Sequence, residues 1–260
     1  MRSLTVNQEK LLTAVRMESS ERARRSLEKA GLPAEEMQKI LAAKQKLEQA
    51  AMIHHVRLRH RYRGKMVIDT LLDIGRVLNM IEAGHFPGGI HDQDFRARIT
   101  NEFKIYGATR EAQMILWQIQ DWERPSYAVV DYLGGYASVS SLNFFGPYRF
   151  VVRPAMRARS TFTPSDSFQV ERDQVYVWEN IDGVLATKLN GRFWYEYVLS
   201  DTEPFITTEG VHYIEAQVIG GFELGDFSKL YYPAADRADR AFFTKLQRLE
   251  LDHGIELVHY

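Results

Sequence analysis

The chain has 260 residues, of which 45% are hydrophobic and 26% are charged, and its net charge is −1. This composition is ordinary for a globular domain, and the near-zero charge gives no general attraction for nucleic acid or anionic membrane. No apolar run of about 18 residues could span a bilayer, and the absence of cysteine excludes disulfides, thiolate catalysis and thiolate zinc sites. Neither nucleic acid nor a membrane is therefore an expected partner.

The N-terminal part of the sequence predicts helices. Apolar residues recur at helical intervals over residues 5–50, with a break at 31–33 where a proline suits the start of a second helix. We expect this second helix to run to about Leu58. The histidines and arginines of 54–63 predict a solvated basic helix face, since no carboxylate stands among them at a metal-ligand spacing. A further helix is predicted over 67–82.

The pattern changes near residue 93. Residues 96–103 predict a strand and residues 109–122 a helix, and a closing helix is expected over 237–252, followed by a short strand over 255–258. Further strands are predicted at 127–133, 136–145, 148–153, 158–163, 174–178, 184–189 and 211–219, with a hairpin turn at Asn190-Gly191.

This order of elements predicts an α+β fold, because helices, strands and a last helix follow one another in blocks and do not alternate. We expect a helical N-terminal region, residues 1–92, packed on a mixed, mainly antiparallel β core, residues 93–260.

The strand at 213–218 carries a carboxylate, Glu215, inside an apolar run that follows a turn at 207–210. Glutamate is a poor strand former and is costly to bury without a partner, so its presence indicates a use. Two earlier segments carry an arginine pair (95–100) and a group of serines (136–142). These residue types suit cleavage of the nicotinamide–ribose bond of NAD, in which an arginine binds pyrophosphate and a carboxylate stabilises a cationic sugar.

These segments together resemble the bacterial mono-ADP-ribosyltransferase superfamily in its Arg–Ser–Glu form. The segment 136–140 resembles that family's aromatic–x–Ser-Thr-Ser strand, and Glu215 stands where the family has its catalytic glutamate. The resemblance implies NAD as substrate, no metal, and a protein acceptor. It implies catalytic roles for Glu215, Ser140 and Arg96, NAD contacts from Arg96, Arg98, Ser138, Ser140, Ser141, Arg159 and Thr161, and acceptor recognition by Thr208, Glu209, His212 and Tyr213.

Residues 93–260 also resemble a largely uncharacterised bacterial family. Its Arg-x-Thr-Phe-Thr-x-x-Asp-Ser segment matches 159–167, and its Tyr-x-Glu-Ala-Gln-Val strand matches 213–218. Which serine acts, and whether Arg96 or Arg98 binds NAD, stays open at this stage, with Arg159 and Arg153 as the next candidates.

The resemblance also implies an acceptor. Tyr213 stands where arginine-modifying members often carry Gln or Glu, so a threonine or serine hydroxyl is the expected acceptor. One effector group of the superfamily modifies a threonine of ubiquitin, and the similarity is compatible with that group. It implies a bacterial effector or toxin secreted into a host cell cytoplasm, or otherwise a protein of the bacterial cytoplasm. The alternatives are an inactive binding module with this fold, an NAD glycohydrolase, and a Glu215 that only pairs with a buried arginine.

Overall fold

The computed structural model describes residues 3–59, 61–62, 65–69, 92–107, 110–119, 123–134, 145–202, 206–207 and 210–260. Within those ranges only the backbone is described at residues 62, 92–98, 111, 206–207 and 210–211.

Two helices open the chain, as the sequence predicts. Helix α1 (Val6–Ala30) begins at a capping box in which the Thr5 side chain accepts from the backbone N–H of Gln8, and it ends at Gly31 in the left-handed region. Helix α2 (Ala34–Gln49) follows Pro33. Both helices bury an apolar face against the rest of the molecule.

The second helix does not reach Leu58, because the next residues form a strand, β1 (Ala51–Val56). This strand lies inside the main sheet, between β4 (Ser126–Asp131) and β5 (Tyr148–Val152). His54, expected on a solvated helix face, is fully buried against the rings of Phe222 and Phe227. The N-terminal region is therefore not purely helical, and a boundary after residue 92 would divide the sheet.

The main sheet has eight described strands in the order β14-β13-β5-β1-β4-β12-β6-β7. Every neighbouring pair is antiparallel except β13 and β14. The strands not yet bounded are β6 (Ser160–Thr163), β7 (Tyr176–Val177), β12 (Glu215–Val218), β13 (Phe227–Tyr232) and β14 (Glu256–His259).

The segment around Arg96 is helical, not extended as predicted. Helix α3 (Asp92–Tyr106) includes the whole of 96–103. The spacing of Phe95, Ile99 and Phe103 fits this helix. Arg96 and Arg98 therefore lie two positions apart on a helix and not on a strand.

The remaining elements are short. Residues 184–189, predicted as one strand, divide between a helical turn and β8, whereas the turn at Asn190-Gly191 is confirmed: both residues have positive φ and join β8 to β9. The predicted helices at 109–122 and 237–252 correspond to α4 and α7. The remaining helices are α4 (Arg110–Gln118), α5 (Asp182–Leu185), α6 (Trp194–Leu199) and α7 (Arg240–His253). The remaining strands form three short pairs: β2 (Arg61–Tyr62) with β3 (Lys65–Met66), β8 (Lys188–Leu189) with β9 (Arg192–Phe193), and β10 (Ile206–Thr207) with β11 (Gly210–Val211). Of the helix predicted over 67–82, residues 67–69 are helical and the rest lies outside the described residues.

The two faces of the sheet differ in chemistry. One face packs into the main core through alternate residues such as Val130, Phe150, Phe162 and Ala216. The opposite face carries their sequence neighbours, many of them polar, and a second apolar cluster from α1, α3 and α4 covers the end of that face near β7. The fold is thus α+β with helices and a mainly antiparallel sheet, and none of the described helices is both long and apolar enough to cross a bilayer.

Candidate active site

Glu215 is the first residue of β12 and points to the polar face of the sheet. Its neighbours in register are Thr163 of β6 and Val129 of β4, and Val129 is in turn opposite Ile53 of β1. The alternation of β12 puts Ala216 in the core on the other face. The side chain of Glu215 is 4% exposed, so the carboxyl is almost wholly removed from water.

Hydrogen-bond donors surround the carboxyl. Gln217 Nε2 donates to Oε1 at 2.7 Å and the backbone N–H of Ser167 donates to the same oxygen at 3.2 Å. The Tyr213 hydroxyl donates to Oε2 at 3.1 Å. Among the described residues, no arginine, lysine or histidine pairs with this carboxyl. The described residues therefore do not form the ion pair with a buried arginine that the sequence left as an alternative.

Burial raises the pKa of Glu215 from its ordinary value of 4.5 to about 7. Loss of hydration is the largest cause, the negative charge of Asp166 adds to it, and hydrogen bonds from Gln217 and Ser167 act in the opposite direction. A buried carboxyl that titrates near neutral pH and has no cationic partner is typical of a functional site more than of a structural one.

A chain of buried polar groups fixes the orientation of Gln217. The Thr161 hydroxyl donates to Gln217 Oε1 at 2.8 Å, and Gln217 Nε2 also donates to Thr163 Oγ1 at 3.0 Å. The Tyr106 hydroxyl of α3 lies 2.7 Å from Thr161 Oγ1, and complete burial raises the pKa of Tyr106 well above its usual range. Because both amide atoms of Gln217 are held, the donor that faces Glu215 is fixed in place.

Tyr213 joins Glu215 to a second carboxylate. Its hydroxyl lies 3.4 Å from Asp166 Oδ2, and burial followed by the charge of Glu215 strongly raises the pKa of this tyrosine. Asp166 is half-buried, whereas Glu215 is not accessible. The ring of Phe145 meets the ring of Tyr213 edge-on at 6.2 Å. Asp166 is thus the more accessible of the two carboxylates.

The loop from 164 to 169 frames this site and is fixed by its own contacts. Asn101 Nδ2 of α3 donates to Ser167 Oγ at 2.8 Å, and the indole N–H of Trp194 donates to the carbonyl of Pro164. His212 Nδ1 lies 3.4 Å from Ser165 Oγ. The predicted acceptor residues His212 and Tyr213 therefore both contact this loop.

The polar face continues across the neighbouring strands. Gln217 is in register with Tyr127 of β4, and on β1 and β5 the residues of the same face include His55 opposite Arg149. Arg149 is 1% exposed and its guanidinium lies 4.5 Å from the centre of the Tyr260 ring. Burial is the main cause that lowers the pKa of His55 to about 4, so this imidazole is neutral at neutral pH. Residues that can hydrogen-bond a ligand thus extend from β6 to β5.

Two of the candidate arginines, Arg159 and Arg153, are not brought to Glu215. Arg159 is buried elsewhere, where it donates to the carbonyl of Gly221 at 2.5 Å and lies 3.5 Å from Asp226. Arg153 donates to the carbonyl of Gly225. Arg96 and Arg98 lie on α3, where only the backbone is described, so their contact with NAD stays a prediction.

Some predicted site residues lie outside the described residues: Ser138, Ser140, Ser141, Thr208 and Glu209. Of the others, Glu215, Tyr213 and Thr161 come together, with Thr161 acting through Gln217. The sequence prediction missed Gln217 as a partner of Glu215, although a two-residue spacing on a strand places them on one face. It also assigned no role to Asp166 and Ser167. Across the described segments no group of His, Asp and Glu side chains could hold a metal ion.

The fold and this site define an α+β protein with a buried, hydrogen-bonded glutamate on the polar face of its sheet. The chain belongs to the family described as Protein of unknown function (DUF3626), which matches residues 50–217. That match begins one residue before β1 and ends at Gln217, so it includes Glu215, its donors and the polar face, and leaves out α1 and α2. Among curated proteins no relative matches the chain.

Proposed function

We propose that the protein cleaves NAD at the nicotinamide–ribose bond and transfers ADP-ribose to a protein side chain, with Glu215 as the catalytic carboxylate. The observation that carries this proposal is a buried carboxyl that lacks a cation among the described residues. A buried anion is costly unless a positive charge compensates it. The nicotinamide ring of NAD and the sugar cation formed on cleavage both supply such a charge, so the substrate itself completes the site.

In the proposed reaction the bond between ribose C1′ and the ring nitrogen breaks, and its electron pair leaves with neutral nicotinamide. The ribose becomes cationic, and the Glu215 carboxylate stabilises that charge. The acceptor hydroxyl then bonds to C1′ and gives up its proton. We assign Asp166 to take this proton, because it is half-exposed and is connected to the Tyr213 hydroxyl.

The polar face supports a binding site for the rest of NAD. Neighbouring strands lie about 4.8 Å apart, so the three steps from β12 to β5 span roughly 14 Å, a length that suits an extended dinucleotide. Arg149 stands at the far end of this span and offers a cation for a phosphate. The neutral His55 beside it donates from Nδ1 to the carbonyl of Gly146, which leaves Nε2 as an acceptor for a hydroxyl. The same proposal includes a hydroxyl as the acceptor, with the threonine of ubiquitin as one candidate. It also includes the role of a secreted effector.

The test is NAD turnover by the wild type and by Glu215→Gln, with the exposed Glu250→Gln as the matched control. Nicotinamide release is followed with time, and protein-bound ADP-ribose is sought by mass spectrometry in mixtures that contain ubiquitin or cell lysate. We expect Glu215→Gln to lose at least about 100-fold in rate and the control to lose nothing. Free ADP-ribose without modified protein would identify a glycohydrolase instead. No nicotinamide release by the wild type under any of these conditions would refute the proposal.

A further inference from the structure

A second concave site lies away from Glu215 and is strongly basic. It is a cleft of about 380 Å³ between the C-terminal half of α1, the segment at 173–174 and the β8–β9 hairpin. Its volume is within the range of pockets that hold small molecules. None of its lining residues contacts Glu215 or the groups that hold it.

Four cations and one carboxylate line this cleft. The cations are Arg22, Arg25, Lys29 and Lys188, and the carboxylate is Asp173, so the lining carries a net charge of three positive units. The C-terminal end of α1 contributes roughly half a negative charge through the helix dipole, which is too little to cancel this excess. The cleft therefore has a strongly positive potential in a chain whose net charge is close to zero.

The cations of the cleft differ in how far they are neutralised, since Arg22 pairs with Glu18. Arg24, one residue from Arg25 on the same helix, pairs with both Glu21 and Glu28. By contrast, no ion pair links Lys29 or Lys188 to a carboxylate in the described part of the chain, and the Lys188 ammonium instead lies 4.7 Å from the centre of the Phe193 ring. Arg25 Nε lies 3.8 Å from Glu21 Oε1, the oxygen that Arg24 contacts at 2.6 Å.

Arg22 forms the buried part of the cleft. Its side chain is 4% exposed, it donates to the carbonyl of Val175 at 3.1 Å and it pairs with Glu18. Burial is the largest cause that lowers the pKa of Arg22, and the neighbouring positive charge of Arg172 acts in the same direction. A bound anion would offset both effects. The hydroxyl of Ser26, bonded to that of Tyr176 at 2.7 Å, adds a polar group to the same wall.

We infer that this cleft binds a small anion with two adjacent phosphate groups. Pyrophosphate carries roughly three negative charges near neutral pH, opposite in sign to the lining, and cations from two separate elements can contact both phosphates at once. The pyrophosphate can be free or can belong to a nucleotide.

The test is calorimetric titration of the full chain with sodium pyrophosphate, ADP, adenosine and an acidic peptide, hexaglutamate, at low and physiological salt. We expect pyrophosphate to bind, more weakly as salt rises, and the double variant Lys29→Ala/Lys188→Ala to lose at least about tenfold in affinity. Arg24→Ala, on the same helix but outside the cleft, should bind like the wild type. Tighter binding of ADP than of pyrophosphate, with none of adenosine, identifies a nucleotide.

Three results would overturn the inference: no binding of pyrophosphate at low salt, an equal loss in Arg24→Ala, or tighter binding of an acidic peptide than of pyrophosphate. The last would make the cleft a protein-docking surface. Both lysines are exposed, so thermal unfolding should confirm that the double variant is folded. Binding here does not depend on NAD turnover, and repeating the titration with NAD present separates this cleft from the site at Glu215.

Discussion

Gln217 Nε2 and Glu215 Oε1 are 2.7 Å apart, joined by the shortest of the hydrogen bonds that hold the buried carboxyl. The two residues are separated by one position on the same strand, and the amide is held from behind by Thr161. Because the donor stabilises the charged form of the carboxyl, Gln217 keeps the pKa of Glu215 lower than burial alone would set it.

Gln217→Met should therefore raise the pKa of Glu215 above about 7, since methionine has a similar size but cannot donate. It also leaves the hydroxyl of Thr161 without its acceptor, at a cost of about 1–3 kcal/mol in the free energy of unfolding. The measurement is an NMR titration of isotope-labelled glutamate carboxyls, supported by the pH profile of NAD cleavage. A midpoint at or below that of the wild type would contradict the role given to Gln217.

Asp166→Asn should act in the opposite direction. The negative charge of Asp166 raises the pKa of Glu215, so its removal should lower the titration midpoint. In the proposed reaction this variant should also reduce the rate of transfer to a hydroxyl more than the rate of NAD hydrolysis. The reason is that an attacking water molecule can pass its proton to the surrounding solvent without Asp166. Asp252→Asn, an exposed change on α7 outside both sites, is the control. Equal losses of transfer and hydrolysis would remove Asp166 from the role of proton acceptor.

Stability should also respond to Glu215. The folded-state pKa of about 7 lies above the ordinary value of 4.5, so the folded protein binds this proton more tightly than the unfolded chain does. The stabilising contribution is fully present below pH 4.5 and is lost as the pH rises through about 7. The difference amounts to about 3 kcal/mol.

Glu215→Gln should abolish this dependence. We expect the free energy of unfolding of the variant, relative to wild type, to increase between pH 5 and pH 8 by an amount of that order. Denaturant unfolding at several pH values measures it, with Glu250→Gln as the control for loss of an exposed charge. A constant difference across this range would mean that Glu215 is ionised throughout, and that its carboxyl has a cationic partner after all.

Local signals in the sequence predicted those elements whose causes are local. The Asn190-Gly191 turn needs two residues with positive φ, and the closing helix α7 has its own cap at Asp239 and a glycine just after its end. Glu215 was predicted as a site residue because an acidic side chain is unusual inside a β-prone run. This mismatch is visible within the one segment, without knowledge of its distant contacts.

The failures have a common cause in contacts that are distant along the chain. Ala51 and Met52 are good helix formers, and β1 is a strand only because β4 and β5, far along the sequence, pair with both of its edges. Likewise the donors from Ser167 and the charge of Asp166 reach Glu215 only after β6 and β12 have paired. Neither contact leaves a periodic signal that a single sequence could reveal.

Truncation at Gly84 tests the position of β1. This fragment lacks β1, which lies between β4 and β5, and it also lacks the buried faces of α1 and α2. The gap in the sheet and the exposed core should leave it without cooperative thermal unfolding, whereas a chain that begins at Leu4, just before the cap of α1, should unfold like the full protein. Circular dichroism with a thermal scan distinguishes the two. A fragment from Gly84 that unfolds cooperatively and cleaves NAD would restore the N-terminal region as a separate element used for recognition.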